Sequence, residues 1–340
     1  MELVGESDYM FTIGYTTYNR KDLIIRRLNS LLTMDIPSNV EIIVVDNASS
    51  DGTFKAISDL TDGTKIKVYR NNENLGFAGN FIEAIKRAKG DYVLWSSDKD
   101  EINLSGVQNL LDWIGSEKID FVLLNHHRKM KLKKNHQSLI RKNKTRVIEY
   151  DDLWGCSHLP GSVCNRSVAL AKLDDWDKMT EMYPETSRYY PNLLLLVKLI
   201  PSGNSYFFDG YIAYQKEYAE KSYHAASSGD HYSHLMSRWL QHKELISLIE
   251  SLIQKTENIK HKKYLHKMYD SLNRGLYEFI STAIREERPH LHAYFSYSCS
   301  YFYLIRRDYK LLKLVIKSFF DNPLLTIHRI KKRLKIKYGI

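Results

Sequence analysis

Residues 10–53 read MFTIGYTTYNRKDLIIRRLNSLLTMDIPSNVEIIVVDNASSDGT, and the period of the apolar positions changes twice along them. Met10–Tyr15 and Glu41–Val45 are short β-rich runs, whereas Ile24, Leu28 and Leu31 recur at helical spacing and predict a helix over Lys21–Thr33. The same switch repeats downstream. Lys65–Tyr69 and Tyr92–Trp95 predict two more strands, and Thr53–Leu60 and Gly79–Lys89 predict helices, the second on Phe81, Ile82 and Ile85. A βαβαβαβ order closes as an α/β fold, a mostly parallel sheet flanked by helices. Ligands then bind outside the carboxyl ends of the strands, so function is sought just after Tyr15, Val45, Tyr69 and Trp95. A helix at Leu104–Ile114 and a strand at Phe121–Leu124 continue the pattern.

The whole chain has 340 residues, which is room for one large domain and a smaller one. An apolar fraction of 43% with Gly 16 and Pro 7 excludes collagen-like or largely disordered classes. Fifty Lys+Arg against forty Asp+Glu give a net charge of +10, which favours anionic partners: nucleotides, nucleic acid or acidic lipid. Cys156, Cys164 and Cys299 form no CxxC pair, so a reducing compartment is expected and a disulfide framework is not. Met1–Asp8 has no export-signal character, and the apolar runs at Leu193–Ile200 and Leu311–Phe320 are interrupted by Lys198, Lys313 and Lys317. A cytoplasmic protein that does not cross a bilayer is the expectation.

Each strand end carries polar chemistry. Thr16-Thr17-Tyr18-Asn19-Arg20 follows the first, and Asp46-Asn47-Ala48-Ser49-Ser50-Asp51-Gly52-Thr53 the second. Asp46 ends an Ile-Ile-Val-Val strand and can accept a hydrogen bond from a base imide or a ribose hydroxyl; Asp51 and Thr53 suit a turn and a helix cap. The third end gives Asn74, Gly76, Gly79 and Asn80, where the glycines allow close backbone approach and open a helix able to receive an anion. Neither GxGxxG nor GxxxxGK[ST] is present. The fourth end reads Gly90-Asp91-Tyr92-Val93-Leu94-Trp95-Ser96-Ser97-Asp98-Lys99-Asp100-Glu101. Two carboxylates at i and i+2 repel unless a cation stands between them. Oxygen ligands from Asp98 and Asp100 favour Mg2+ or Mn2+, with other positions left to water and phosphate.

Taken in order, T-x-Y-N-R, V-D-N-x-S-x-D-G-T, N-x-G-x-x-G-N and G-D-Y followed by D-x-D resemble the glycosyltransferase family 2 pattern on a GT-A (Rossmann-like) fold, across residues 9–125. The resemblance implies an inverting transferase using a nucleotide-diphosphate sugar, with uridine preferred and Mn2+ or Mg2+ as cofactor. It also implies Asp46 and Asn47 at the nucleobase, with Thr16, Tyr18, Asn19 and Arg20 flanking it. Asn74, Gly76, Gly79, Asn80 and Ser97 would border the nucleotide, and Asp98 and Asp100 would hold the metal under the diphosphate. Many members carry the base in a Glu-Asp pair opening a later helix. The comparable Tyr189-Tyr190-Pro191-Asn192 has no such pair. Glu185 is the expected base and Asn192 an acceptor-orienting group, with Glu181, Asp174, Asp175 and Asp177 nearby; Leu159–Arg166 resembles the strand that builds the acceptor side, beside His158.

A catalytic domain is expected over residues 1–225, divided into a nucleotide half (9–125) and an acceptor half (126–225), with a smaller C-terminal helical region over 226–340. Its helices are predicted from His231 onward, on Leu235, Trp239, Leu240, Leu245, Ile249 and Leu252, and over Lys263–Ile284. Arg128–Arg146 holds nine Lys/Arg and no acid, and Asn322-Pro323 opens a basic amphipathic tail. Both suit an anionic membrane surface and a peripheral protein acting on a glycan or lipid-linked acceptor in surface polysaccharide synthesis. His224, His231 and His234 lack partners at zinc spacing and are expected to be packing or surface residues. Two alternatives are a catalytically degenerate relative that binds a partner and a basic nucleic-acid-binding protein. No nucleic-acid motif is present, and nucleic acid is not expected as a partner.

Overall fold

The computed structural model describes residues 9–98, 100–115, 118–124, 145–147, 161–210, 212–215 and 235–287. The alternation expected at the start of the chain is observed: β1 (Phe11–Thr17), α1 (Lys21–Leu32), β2 (Val40–Asp46), α2 (Thr53–Thr61), β3 (Ile66–Arg70), α3 (Gly76–Arg87) and β4 (Tyr92–Ser97). Strands β5 (Asp100–Ile102) and β6 (Phe121–Leu124) follow with α4 (Leu104–Ile114) between them. Then come β7 (Thr145–Val147), β8 (Ser162–Asn165), α5 (Arg166–Leu170), α6 (Trp176–Met182), α7 (Pro184–Tyr189), α8 (Pro191–Ser202), β9 (Ser205–Phe208), β10 (Ala213–Gln215), α9 (Leu235–Lys255) and α10 (Ile259–Glu287). Eight strands form one sheet in the order β3-β2-β1-β4-β8-β6-β9-β7. β1 to β4 are mutually parallel, β8 runs antiparallel between β4 and β6, β9 is parallel to β6, and β7 is antiparallel to β9.

The sheet is buried on both faces, which is why Ile42–Val45 of β2 read as an unbroken apolar run. Successive side chains of a strand point to opposite faces. Ile42 and Val44 pack with Phe11, Ile13, Ile24, Leu28 and Val107 under α1, α2 and α4. Ile43 and Val45 pack with Phe81, Ile85, Leu194 and Leu196 under α3 and α8. Gly14, which interrupts the apolar run of β1, faces α3: a Cβ there would sit in ordinary contact, 3.6 Å from Ala84 Cβ.

Helix α8 is apolar all round, as expected of a helix enclosed by other layers. Leu193 to Val197 and Leu199 are buried, while Lys198 escapes through its long stem to the Lys172 carbonyl at 2.7 Å and Asp175 at 2.5 Å. Pro184 and Pro191 open α7 and α8, where the missing N–H costs nothing. Leu245, Leu248 and Ile249 of α9 and Leu265, Met268 and Leu272 of α10 belong to the same apolar cluster as α3 and α8. Among the described residues, the C-terminal helices therefore pack directly onto the layer that covers the sheet. The stretches Arg128–Lys144, Ala293–Tyr303 and Asn322 to the end, together with His158, His224, His231 and His234, lie outside the described residues.

His242 of α9 is 3% exposed, stacks on Trp239 at 6.2 Å, and leaves Nδ1 without a hydrogen-bond partner. Burial, opposed by a hydrogen bond with Asn273, pulls its pKa down to about 4. The unfolded chain binds the proton first, so stability is full above the ordinary histidine range and is lost as pH falls toward the folded value. Between pH 7 and pH 5 the loss is expected to be about 2 kcal/mol. Urea unfolding at the two pH values checks it, and His242→Leu should flatten that difference.

Candidate active site

Parallel β2, β1 and β4 present their carboxyl ends side by side: Thr17 pairs with Asp46, and Thr16 pairs with Ser97. Asp46 and Ser97 thus stand one strand apart on either side of β1, about 10 Å from each other by sheet spacing. Asp46 is fully buried. Its Oδ2 accepts from Ser49 N at 3.0 Å and lies 3.6 Å from Arg70 Nε, while its Oδ1 has no protein partner. A buried acceptor oxygen left open at a strand end is what a ligand N–H or O–H requires.

The loop after β1 is pinned to the loop after β2. Asn19 adopts φ 50 and donates its N–H to Ser49 Oγ at 2.9 Å, while its Oδ1 accepts from Ser50 N at 2.8 Å. Asparagine tolerates this left-handed conformation better than other side chains. Asp51 accepts from Thr53 N at 3.0 Å, the expected turn-and-cap role. Thr16 and Tyr18 are half-buried beside this loop.

The asparagines of the third strand end do something composition did not reveal. Asn47 Oδ1 accepts from Asn71 Nδ2 at 2.9 Å and Leu75 N at 3.0 Å, and its Nδ2 donates to Asn74 Oδ1 at 2.7 Å and the Gly76 carbonyl at 3.1 Å. Asn71 Nδ2 also donates to Asn80 Oδ1 at 3.0 Å, and Asn74 Oδ1 accepts from Gly76 N at 2.9 Å. Asn47, Asn74 and Asn80 are therefore joined in one side-chain network that holds residues 74–76 against the end of β2. Gly76 takes φ 69, which a side chain would strain. That turn starts α3 at Gly76, three residues before the expected Gly79.

Asp98 follows β4 and is 1% exposed. Its Oδ1 lies 3.2 Å from Arg20 Nη1, and its Oδ2 has no hydrogen-bond partner. Asp100 opens β5, paired antiparallel with Gln215 of β10. Its Oδ2 accepts from Ser97 Oγ at 2.5 Å. Burial pushes the Asp100 carboxyl above its ordinary range, against the pull of Ser97 and Arg27, and the charge of Asp98 adds to the upward push. Next to it, Glu101 is held by Arg27 of α1 at 2.9 Å in a buried pair that fixes β5 to the helix layer. Among the described residues no group of three or more His, Cys, Asp or Glu is placed to hold a metal ion. The pair Asp98 and Asp100 nevertheless fits a hard cation that keeps water and phosphate ligands, because it offers carboxylate oxygens and leaves Asp98 Oδ2 open.

Glu185 and Asn192 lie on the helical layer. The Glu185 carboxylate accepts from Ser237 Oγ of α9 at 2.8 Å, and Glu244 caps α7 through Glu185 N at 3.1 Å and Thr186 N at 2.7 Å. Asn192 is 1% exposed in the first turn of α8. The structure thus gathers Thr16, Asn19, Arg20, Asp46, Asn47, Asn74, Asn80, Ser97, Asp98 and Asp100 along the sheet's carboxyl edge, and places Glu185 against α9. Thr17, Ser49, Arg70 and Asn71 also belong to that edge. The density of asparagine between residues 71 and 80 was the available signal for the network.

Residues 12–170 match the family model described as glycosyl transferase family 2. The chain carries a glycosyl transferase family 2 domain. Over 116 residues it is 30% identical to the poly(ribitol-phosphate) beta-N-acetylglucosaminyltransferase TarS of Staphylococcus aureus, covering 34% of this chain and 20% of TarS. Over 118 residues it is 30% identical to UDP-Glc:alpha-D-GlcNAc-diphosphoundecaprenol beta-1,3-glucosyltransferase WfaP of Escherichia coli, covering 35% of this chain and 46% of WfaP. The matches thus span less than half the length of both relatives. The crystal structure of TarS 1–349 with UDP-GlcNAc superposes with TM-score 0.56 at 20% identity, covering 78% of this chain and 72% of that one. The mannosyltransferase PcManGT from Pyrobaculum calidifontis, in complex with GDP-Man and Mn2+, gives TM-score 0.55 at 16% identity over 92% of this chain and 88% of its own. The family 2 domain therefore has the GT-A fold. Asp46, Asp98 and Asp100 all lie within the matched residues 12–170. No helix among the described residues is long and apolar enough to cross a membrane.

Proposed function

We propose that this protein is an inverting, metal-dependent glycosyltransferase that moves a sugar from a nucleotide-diphosphate donor, a UDP-sugar above all, to a glycan or lipid-linked acceptor in surface polysaccharide synthesis. The observation that carries this is the pair of buried carboxylates at the sheet's carboxyl edge, Asp46 and Asp98, each with one oxygen lacking a protein partner. Asp46 Oδ1 suits the ring N–H of uracil, an acceptor-only carboxylate meeting a donor that sits between two carbonyls. The Asn47 network holds the 74–76 turn beside the nucleotide. A divalent cation, Mn2+ or Mg2+, at Asp98 and Asp100 would supply Lewis-acid neutralisation of the departing diphosphate. Ser97 orients Asp100 through its 2.5 Å hydrogen bond. Glu185 is the candidate for taking the acceptor hydroxyl's proton, and Asn192 for orienting that hydroxyl. The relatives support the donor and acceptor classes by their names: a UDP-glucose donor and a diphosphoundecaprenol-linked acceptor for WfaP, and UDP-GlcNAc bound to TarS.

A thermal-shift panel of nucleotide sugars with and without Mn2+ tests the donor. A UDP-sugar at a hundredfold its dissociation constant is expected to stabilise the fold by about 2.7 kcal/mol, with Mn2+ required for the full shift. Silence across UDP-, GDP-, TDP- and CMP-sugars would refute the assignment.

We also propose a peripheral site of action on the cytoplasmic membrane face, supported by the basic composition of Arg128–Arg146 and of the C-terminal tail. Deleting Leu324–Ile340 is expected to weaken flotation with anionic vesicles in a salt-dependent way. Unchanged flotation would remove the tail's role.

A further inference from the structure

We propose that Asn71 is a positioning residue of the nucleotide site: Arg87 sets the direction of its carboxamide, and that direction passes through Asn47 to the 74–76 turn. This rests on the glycosyltransferase reading above and names what orders the turn that the reading sets beside the nucleotide.

A carboxamide has one end that only accepts hydrogen bonds and one that only donates, and the two are nearly equal in size. A buried asparagine therefore needs a partner of fixed polarity to choose its orientation. Asn71 is 3% exposed and stands just after β3, where its N–H donates to the Asp46 carbonyl at 2.9 Å. Its Oδ1 accepts from Arg87 Nη2 at 3.2 Å. A guanidinium can only donate, so this contact turns the oxygen of Asn71 toward Arg87 and its Nδ2 the other way. Nδ2 then donates to Asn47 Oδ1 at 2.9 Å and to Asn80 Oδ1 at 3.0 Å. Arg87 is itself held near the end of α3: its Nε lies 3.2 Å from Glu83 Oε2, and its guanidinium lies 5.3 Å from the centre of the Tyr69 ring.

The order continues in one sense. With its Oδ1 given to Asn71 and to Leu75 N, Asn47 presents Nδ2 to Asn74 Oδ1 and to the Gly76 carbonyl. Asn80 is turned from its other end, since its Nδ2 donates to the Val45 carbonyl at 3.4 Å and so leaves Oδ1 for Asn71. Donor meets acceptor at each of these contacts only while Asn71 keeps its nitrogen toward Asn47 and Asn80. A buried polar network is rigid when every member is satisfied and costly when one is not. Aspartate at position 71 would have nearly the same shape and could still accept from Arg87, but it has no hydrogen to give. Acceptor oxygens of residues 47, 71 and 80 would then face one another. Reversal of Asn47 relieves this, and it takes Oδ1 away from Leu75 N and Nδ2 away from the Gly76 carbonyl. What Asn71 supplies is thus polarity rather than volume.

The test uses the full chain with Mn2+ present. It measures UDP affinity by calorimetry, with GDP as the second nucleotide, beside amide hydrogen exchange at Leu75 and Gly76. Asn71→Ala removes the donor but leaves Asn47 its bonds to the turn, so UDP should weaken by about threefold. Asn71→Asp should weaken UDP by about thirtyfold, and both amides should exchange faster than in Asn71→Ala. A residue that only fills space predicts the opposite order, because aspartate is much closer in shape to asparagine than alanine is. Arg87→Met, made about 16 Å from Gly76 along α3, should weaken UDP by about threefold and speed both amides. Glu83→Gln, which disturbs the other partner of the same arginine, should leave both readings at the wild-type level. This second pair carries the test if Asn71→Asp does not fold. The proposal is overturned if Asn71→Asp binds UDP as tightly as Asn71→Ala, if Arg87→Met matches the wild type in both readings, or if Glu83→Gln weakens UDP as much as Arg87→Met does. Failure of the wild type to bind either UDP or GDP is a different result: it removes the glycosyltransferase reading, while the order of exchange rates still decides whether Asn71 sets the turn.

Discussion

Asp98→Asn is expected to lower sugar transfer by about a thousandfold or more, equivalent to roughly 4 kcal/mol of transition-state stabilisation. The substitution keeps the shape of a side chain that is 1% exposed and removes only its charge. The amide oxygen can still accept from Arg20, so the loop after β1 keeps its place and the variant should fold. In the proposed mechanism, what is lost is the anionic anchor that would hold positive charge under the leaving diphosphate. That charge matters most as the bond to the anomeric carbon breaks and negative charge grows on phosphate. The loss should therefore fall on kcat more than on KM. Asp46→Asn provides the contrast, because Asp46 stands on the other side of β1, and in the proposed reading it meets the base rather than the breaking bond. Its expected effect is weaker nucleotide binding with a smaller change in kcat. Steady-state kinetics of both variants, with circular dichroism to establish folding, checks the pair. Turnover by Asp98→Asn within tenfold of the wild type would show that the carboxylate is not part of the reaction.

Much of this site was legible because an α/β sheet places chemistry at strand ends, and strand ends can be found from hydrophobic period. β2 is the clearest case: Ile42, Ile43, Val44 and Val45 are buried on alternate faces, so the run is continuous and the aspartate that stops it stands out. What could not be read were the partners chosen across long separations. Arg20 and Asp98 are 78 positions apart, and no local pattern says which cation a carboxylate will meet. The aspartates of D-x-D sit in different environments, because Asp100 belongs to a strand whose partner, β10, lies more than a hundred residues away. The resemblance implied that the asparagines near residue 74 border the nucleotide, and nothing in the sequence says that they also bind one another. Asn47 bonds to Asn71, Asn74, Leu75 and Gly76. The start of α3 was misplaced for the same reason: a helix that opens on Leu75 N and Asn47 Oδ1 is fixed by a tertiary contact, not by its own sequence. Likewise the reversal of β8 between β4 and β6 follows from sheet packing rather than from four residues of strand propensity.

Glu41→Ala is expected to cost about 3–5 kcal/mol of stability while leaving the nucleotide site intact. Glu41 is 1% exposed on β2 and is surrounded by donors: Thr12 Oγ1 at 2.8 Å, Lys67 Nζ at 3.0 Å and Lys89 N at 2.8 Å. Thr12 Oγ1 in turn accepts from Gly90 N at 2.9 Å, so one carboxylate organises the strand ends of β1 and β3 and the entry to β4. Alanine removes the acceptor and opens a cavity. Lys67, whose side chain is 35% exposed, can turn to water, but the hydroxyl of fully buried Thr12 cannot follow. A buried donor left without an acceptor is costly, and a loss of this size is a large part of the 5–15 kcal/mol that typically separates folded from unfolded domains. Glu41→Gln should recover part of the loss by restoring one acceptor oxygen. Glu41 lies five residues before Asp46 on the same strand, about 17 Å away along the strand axis. At temperatures where the variant is folded, UDP affinity should thus match the wild type. Urea unfolding with calorimetric UDP titration separates the two effects: equal stability of Glu41→Ala and wild type would mean that the buried carboxylate is dispensable, and a matched fall in UDP affinity would mean that the two ends of β2 are not independent.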